Sequence, residues 1–349
     1  VRPQESYLWL GLFALAAGNV FFELASVQYN AMLPRISTPA TIGRISGLGW
    51  GLGYLGGIVL LLVVYLGLIS PDVGWFGVSD TDGLDVRVTM LVCAAWTLAF
   101  ALPVLLTLRD DAAPVAEGGP EAGARVGVAE SYRRLFRSVA ELWRSDRNLV
   151  FFLGASAVFR DGLAGVFAFA GVIAAGSFGF SPGDVILLGI AANVVAGIAT
   201  IGAGVLDDRL GPKRVILVAL VAMVLAGLGI FVLHDAGSAV FWTLGLTLSV
   251  FVGPAQSASR TFLARLAPEG REGQVFGLYA TTGRAVSFLA PAAFATAITL
   301  GAAATGEGQD AAQYWGILGI VAVLGAGLLL LLPVRAPRPT AWAARRPPA

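Results

Sequence analysis

Gly204-Val205-Leu206-Asp207-Asp208-Arg209-Leu210-Gly211-Pro212-Lys213-Arg214 is a short charged stretch between two long apolar runs. Two helices that leave a membrane on the same side need a tight return, and this stretch has the chemistry for one. Gly211 and Pro212 are turn residues, Asp208 and Arg209 can cap and pair across the helix ends, and Lys213 and Arg214 favour the positively charged side of the bilayer.

Outward from this hinge the chain is apolar. Its 349 residues are 57% hydrophobic and 13% charged, with mean hydropathy +0.79 and 45 glycines, a balance outside the range of water-soluble domains of this length. The composition describes a polytopic membrane protein. A net charge of +1 argues against a nucleic acid or other polyanion as partner. One cysteine, Cys93, excludes an intrachain disulfide framework, and one histidine, His234, excludes sites built from several histidines.

Crossing about 30 Å of hydrocarbon at 1.5 Å per residue takes roughly 20 residues. Nine runs qualify, near 7–33, 46–69, 87–108, 149–175, 183–206, 213–234, 238–262, 273–300 and 314–332. Nine spans put the two ends of the chain on opposite sides. Alternate connections collect all of the 23 Lys and Arg except Arg2, Arg87, Arg160 and Arg284, so the basic side reads as cytoplasmic, the amino end as outside and the carboxyl end as inside. Arg260 is counted with the cytoplasmic group. Tyr7, Trp9, Trp242, Tyr314 and Trp315 fall at the outer starts of spans, where amphipathic rings anchor at headgroup level.

The longest basic connection divides in two. Residues 110–128 are rich in Ala, Gly, Pro and Glu and read as a linker. Over 129–147, Tyr132, Leu135, Phe136, Val139, Leu142 and Trp143 recur at helical spacing with arginines on the other arc, as in an amphipathic helix on a membrane surface. A target for a calmodulin-type partner has the same pattern. The expected domains are a three-span partial bundle over 1–108, this linker over 109–148, a six-helix bundle over 149–334 and a tail over 335–349.

Polar residues inside the spans are the candidate site. Asn19, Glu23, Ser26 and Asn30 follow one another at steps of four, three and four and form a single stripe on the first span. Such a stripe faces protein or water rather than lipid. Glu23 suits either proton or amine binding, or a hydrogen bond between helices, because an ionised carboxylate at depth is costly unless paired or hydrated. Arg160 and Asp161 lie near the middle of the fourth span and Arg284 near the middle of the eighth, so with Glu23 the buried charges balance. Arg284 suits a substrate carboxylate. Gln256 follows Gly253-Pro254, where a kink is expected.

Other patterns are weaker. Gly47, Gly49, Gly51, Gly53, Gly56 and Gly57 include the small-x-x-x-small pairs 47/51, 49/53 and 53/57, which allow close helix approach. Gly51, Gly53 and Gly56 also match a dinucleotide fingerprint, but inside a spanning helix and without a preceding strand. Asp80-Thr81-Asp82-Gly83-Leu84-Asp85 lacks the closing Glu of a calcium loop and reads as an outer loop. His234, beside Asp235 at a helix end, reads as structural or exposed. No cofactor, metal site or enzymatic triad is expected.

The hinge spacing Gly-x-x-x-Asp-Arg-x-Gly-x-Lys-Arg resembles the cytoplasmic loop motif of the major facilitator superfamily, found between the second and third helices of each six-helix half. Within that superfamily the chain resembles the vacuole-effluxer-like branch. The resemblance rests on Phe22-Glu23-Leu24-Ala25-Ser26-Val27-Gln28-Tyr29-Asn30-Ala31-Met32-Leu33-Pro34 with the glycine-rich run 43–57, and on Phe159-Arg160-Asp161-Gly162. It also rests on Gly253-Pro254-Ala255-Gln256, Ser259-Arg260, Phe276-Gly277-Leu278-Tyr279 and Gly283-Arg284.

The resemblance implies an all-α major facilitator of the inner membrane, monomeric at full length, that exports a small solute such as an amino acid by alternating access. Glu23, Asn30, Arg160, Asp161, Gln256 and Arg284 would line its path. Gly204, Asp208, Arg209, Gly211, Lys213 and Arg214 would form its gating loop. Proton coupling, or export of a sugar or drug, is the alternative. The first three spans then correspond to helices four to six of the usual twelve. Val1 reads as a cut, and a truncated chain or structural subunit without transport of its own is the competing expectation.

Overall fold

A computed structural model of the chain describes residues 7–71, 73–79, 81–107, 128–306 and 308–336. The linker over 110–127, the tail beyond 336, Asp80 and the arginines at 2, 109, 125, 338, 345 and 346 lie outside the described residues. Among the described residues, nine helical segments are long and apolar enough to cross a membrane, as the hydrophobic runs predict.

In chain order these are α1 (Leu8–Ala31), continued by the short α2 (Leu33–Ile36), then α3 (Ile42–Val64) and α4 (Leu84–Thr107). The amphipathic α5 (Val128–Ser145) precedes α6 (Arg147–Phe178), α7 (Pro182–Leu210), α8 (Pro212–Val232) and α9 (Ser238–Leu266). The eighth span comprises α10 (Glu272–Ala285) and α11 (Leu289–Thr305), and α12 (Gly316–Leu331) completes the set.

The chain forms two compact units, one of residues 1–25 and 56–135, the other of 26–55 and 136–349. In the first, α4 packs on a turn of π-helix, Tyr65–Ile69, that ends α3. Trp75 fits against Gly67, where a methyl group would lie 2.7 Å from the indole.

The second unit holds α6 to α12 with the adjoining parts of α1, α3 and α5. Helix boundaries follow local chemistry. Asp146 caps α6 by accepting the Leu149 N–H at 3.1 Å. Ser181 and Asp184 form a reciprocal capping box at the start of α7. Gly211, at φ 85° and ψ 151°, separates α7 from α8 in a conformation that suits glycine, and Pro212 opens α8. At the same end, Lys213 Nζ donates to the Leu332 carbonyl at 2.8 Å and closes the end of α12. In the core, Phe152 stacks on Phe262 at 4.3 Å and Phe169 on Phe294 at 4.0 Å. In α5, Leu142 is buried, while Trp143 packs on Phe151 at 5.5 Å and lies under the Arg147 guanidinium.

Glycines bring α3 onto α7 backbone to backbone. A methyl group on Gly43 would lie 2.6 Å from the Gly204 carbonyl oxygen, one on Gly47 2.7 Å from that of Thr200, and one on Gly51 2.7 Å from that of Gly197. Of the three pairs expected, 47/51 is used in this way. Gly49 faces the Tyr29 hydroxyl, whereas Gly53, Gly56 and Gly57 have no neighbour within 4 Å. Gly253 meets Thr200 Oγ1 on α7, and α9 runs unbroken through Pro254.

Candidate functional site

The eighth span is broken. α10 ends at Ala285 and α11 begins at Leu289, with Pro291 in the first turn of α11. A proline there removes one N–H, and its ring disfavours helix at the carbonyl four residues back, at Ser287. Asp161, buried on α6, accepts the Ala290 N–H at 2.6 Å. The carboxylate therefore faces the positive end of a half-helix.

Arg160, its neighbour, turns to the other half. Its guanidinium lies 3.7 Å from the Tyr279 ring centroid, and Nη1 donates to the Tyr279 carbonyl at 3.1 Å. The Tyr279 hydroxyl shares a 2.7 Å hydrogen bond with Ser259 on α9. Arg160 and Asp161 thus hold the two sides of one break, Arg160 on α10 and Asp161 on α11. Arg284 sits one residue before the end of α10 with its side chain exposed. Gln256 is half-buried on α9, and Glu23 is half-buried on α1 in the other compact unit.

A second constellation surrounds Arg260. Counted from sequence among the cytoplasmic charges, this residue is instead inside α9 and 5% exposed. Its Nε donates to Ser46 Oγ at 3.0 Å, Nη2 to the Ser46 carbonyl at 2.9 Å and Nη1 to Asn30 Oδ1 at 3.1 Å. Asn30 in turn donates to Ser26 at 3.3 Å, so the end of the predicted polar stripe leads to this arginine. The clue in the sequence is the run Phe262-Leu263-Ala264, which continues the apolar span beyond Arg260.

The hinge carboxylates form the third. Asp208 accepts the N–H of Gly43 at 2.7 Å and of Arg44 at 3.1 Å, and pairs with Arg44 Nε at 3.2 Å. Asp207, 1% exposed, accepts from the Thr261 hydroxyl and pairs with Arg265 at 3.3 Å. Arg265 also reaches Asp208 at 3.7 Å. The first turn of α3 and the ends of α7 and α9 are thereby tied together.

A cavity of about 300 Å³ lies among α6, α7, α8, α9 and α12, with a lining almost wholly apolar that includes Phe167, Met223 and Phe241. None of the predicted path residues lines it. His234 stacks on Tyr314 at 3.8 Å and belongs to the packing of a helix end.

Polar and charged groups enclosed by apolar spanning helices define the chain as a multi-pass helical membrane protein. A family model described as vacuole effluxer Atg22 like matches residues 37–341, and the chain belongs to that family. It is 23% identical to an uncharacterized MFS-type transporter YxiO of Bacillus subtilis, over 95% of this chain and 72% of the relative. It is 24% identical to autophagy-related protein 22-1 of Neosartorya fischeri, over 73% of this chain and 44% of the relative. Autophagy-related protein 22 of Yarrowia lipolytica is 26% identical, over 79% and 49%. The chain spans about half the length of these fungal relatives.

Proposed function

We propose that the protein is a secondary transporter that exports a small solute, most simply an amino acid, by exposing a mid-membrane site alternately to the two sides. The family and its MFS-type relative support transport. The observation that carries the site is the break at 286–288, with Asp161 on one half-helix and Arg160 on the other. Interrupted helices expose backbone groups and helix ends at depth, which serves substrate or ion binding in transporters. Acidic and basic side chains near one break suit a zwitterion. Arg284, just before the break, takes the substrate carboxylate; Glu23 is a separate candidate for amine or proton binding.

The hinge over 204–214 acts as a reversible cytoplasmic tie. The protein lies in the cytoplasmic membrane with its amino end outside, a placement supported by the arginine distribution. Flux across a panel of amino acids in proteoliposomes tests the proposal, with Glu23→Gln and Arg284→Ala beside the unmodified protein. Flux of at least one amino acid, lost in both variants, is expected. Flux of none overturns the substrate class, and undiminished flux in both variants overturns the site.

A further inference from the structure

Arg260 is a buried cation among neutral acceptors. Its partners are the Ser46 hydroxyl and carbonyl and the Asn30 amide oxygen, with the neutral Tyr29 hydroxyl beside them. Ser46, which supplies two of them, is already engaged with Ser257 through bonds of 3.0 and 2.9 Å. Tyr29 and Trp50 wall the guanidinium, with ring centroids 5.6 and 6.0 Å from its central carbon. None of the ion pairs among the described residues includes Arg260. The hinge a turn or so away differs, since there Arg265 faces two carboxylates.

A second observation points the same way. The Trp50 indole N–H is buried and has no acceptor within the described protein. The cage thus has a positive charge with no carboxylate partner and, in its Trp50 wall, an indole whose N–H has no acceptor; what it lacks is an anion. A resident carboxylate would fix the cage, because separating a buried ion pair leaves two uncompensated charges. Neutral acceptors leave the charge available to an arriving anion.

We propose that Arg260, with the Trp50 indole N–H, is a binding site for the carboxylate of the transported solute, covered in the present conformation and uncovered when α1 and α3 draw away from α9. This rests on the transport reading above and adds a second carboxylate site to it. The wall beyond the cage is apolar: Trp50 neighbours Tyr54 at 6.1 Å, and Tyr54 stacks on Phe167 at 6.1 Å, at the edge of the apolar cavity. A carboxylate bearing an apolar side chain fits that run of rings.

The test is arginine modification by phenylglyoxal in the reconstituted protein, with the Arg260 adduct quantified by peptide mass spectrometry. L-leucine and leucinamide, which differ in the carboxylate, are the probes. Leucine is expected to lower the Arg260 adduct about tenfold, equivalent to ~1.4 kcal/mol, while leucinamide leaves it unchanged. Equal protection by both probes overturns the site, as does an Arg260 that is never modified. In parallel, Arg260→Gln is expected to abolish leucine flux and Arg260→Lys to retain part of it; undiminished flux in Arg260→Gln overturns a transport role. Protection of Arg260 without flux of any amino acid would leave the anion site standing while the transport reading fell.

Discussion

Asp208, near the end of α7, accepts the backbone N–H of Gly43 at 2.7 Å, so a carboxylate closes the first turn of a helix 165 residues away in the chain. The same group faces the Arg44 guanidinium. A fixed negative charge at a helix start is stabilising, and here it joins the start of α3 to the end of α7.

Asp208→Asn keeps an oxygen that can accept but removes the charge. Losing a charge at a helix start is worth about 0.3–1 kcal/mol. With Cys93→Ser as background and Ala258→Cys as reporter, at a site 1% exposed, maleimide labelling should rise roughly two- to fivefold. An unchanged labelling rate in Asp208→Asn would overturn the proposed gating role of the hinge.

Gly43→Ala and Gly47→Ala place a methyl group against backbone, at 2.6 and 2.7 Å from a carbonyl oxygen. Neither α3 nor α7 can yield a flexible side chain there, so each substitution should cost about 1–3 kcal/mol. Thermal unfolding in detergent reads this as a lowered Tm. Gly53→Ala, with nothing within 4 Å, should leave Tm unchanged.

Removing Arg265 should be more damaging than removing both members of its pair. Arg265→Gln leaves Asp207 buried with the Thr261 hydroxyl as its remaining partner, at a cost of about 3–5 kcal/mol. Adding Asp207→Asn should restore much of the lost stability. A double-mutant cycle on Tm checks the coupling, and additive losses would show that the two side chains do not act as a pair.

Asp161→Ala leaves the Ala290 N–H without its acceptor at the start of α11. An unsatisfied buried donor costs about 1–3 kcal/mol. Asp161→Asn, which can still accept, should recover most of the Tm but little of the flux if the charge serves transport. Equal flux in Asp161→Asn and the unmodified protein would confine the residue to holding the helix break.

The elements legible in the sequence are those whose cause is local. Hydropathy alone defines nine spans, and Gly211-Pro212 marks the turn between α7 and α8 because φ and the missing N–H are properties of those two residues. The break before Pro291 was equally local, yet the length and hydropathy of the run concealed it. Arg260 was harder to place. Its burial depends on Ser46 and Asn30, more than 200 residues away in sequence, and a charge near a span end looks cytoplasmic until those partners are known. The partners of Asp208 on α3 were likewise beyond reach, since a helix start offers the same N–H groups whatever its sequence.

The glycine contact between α3 and α7 has a mechanical consequence. Interlocked side chains must be withdrawn before two helices can move, whereas facing backbones present no knobs to extract. Gly43 and Gly47 meet Gly204 and Thr200 backbone to backbone, while Ile201 and Leu55 pack at the Gly51 and Gly197 end, so few side chains resist shear between these helices. In the proposed transport cycle the charges at the hinge end of this contact would set where such a slide stops.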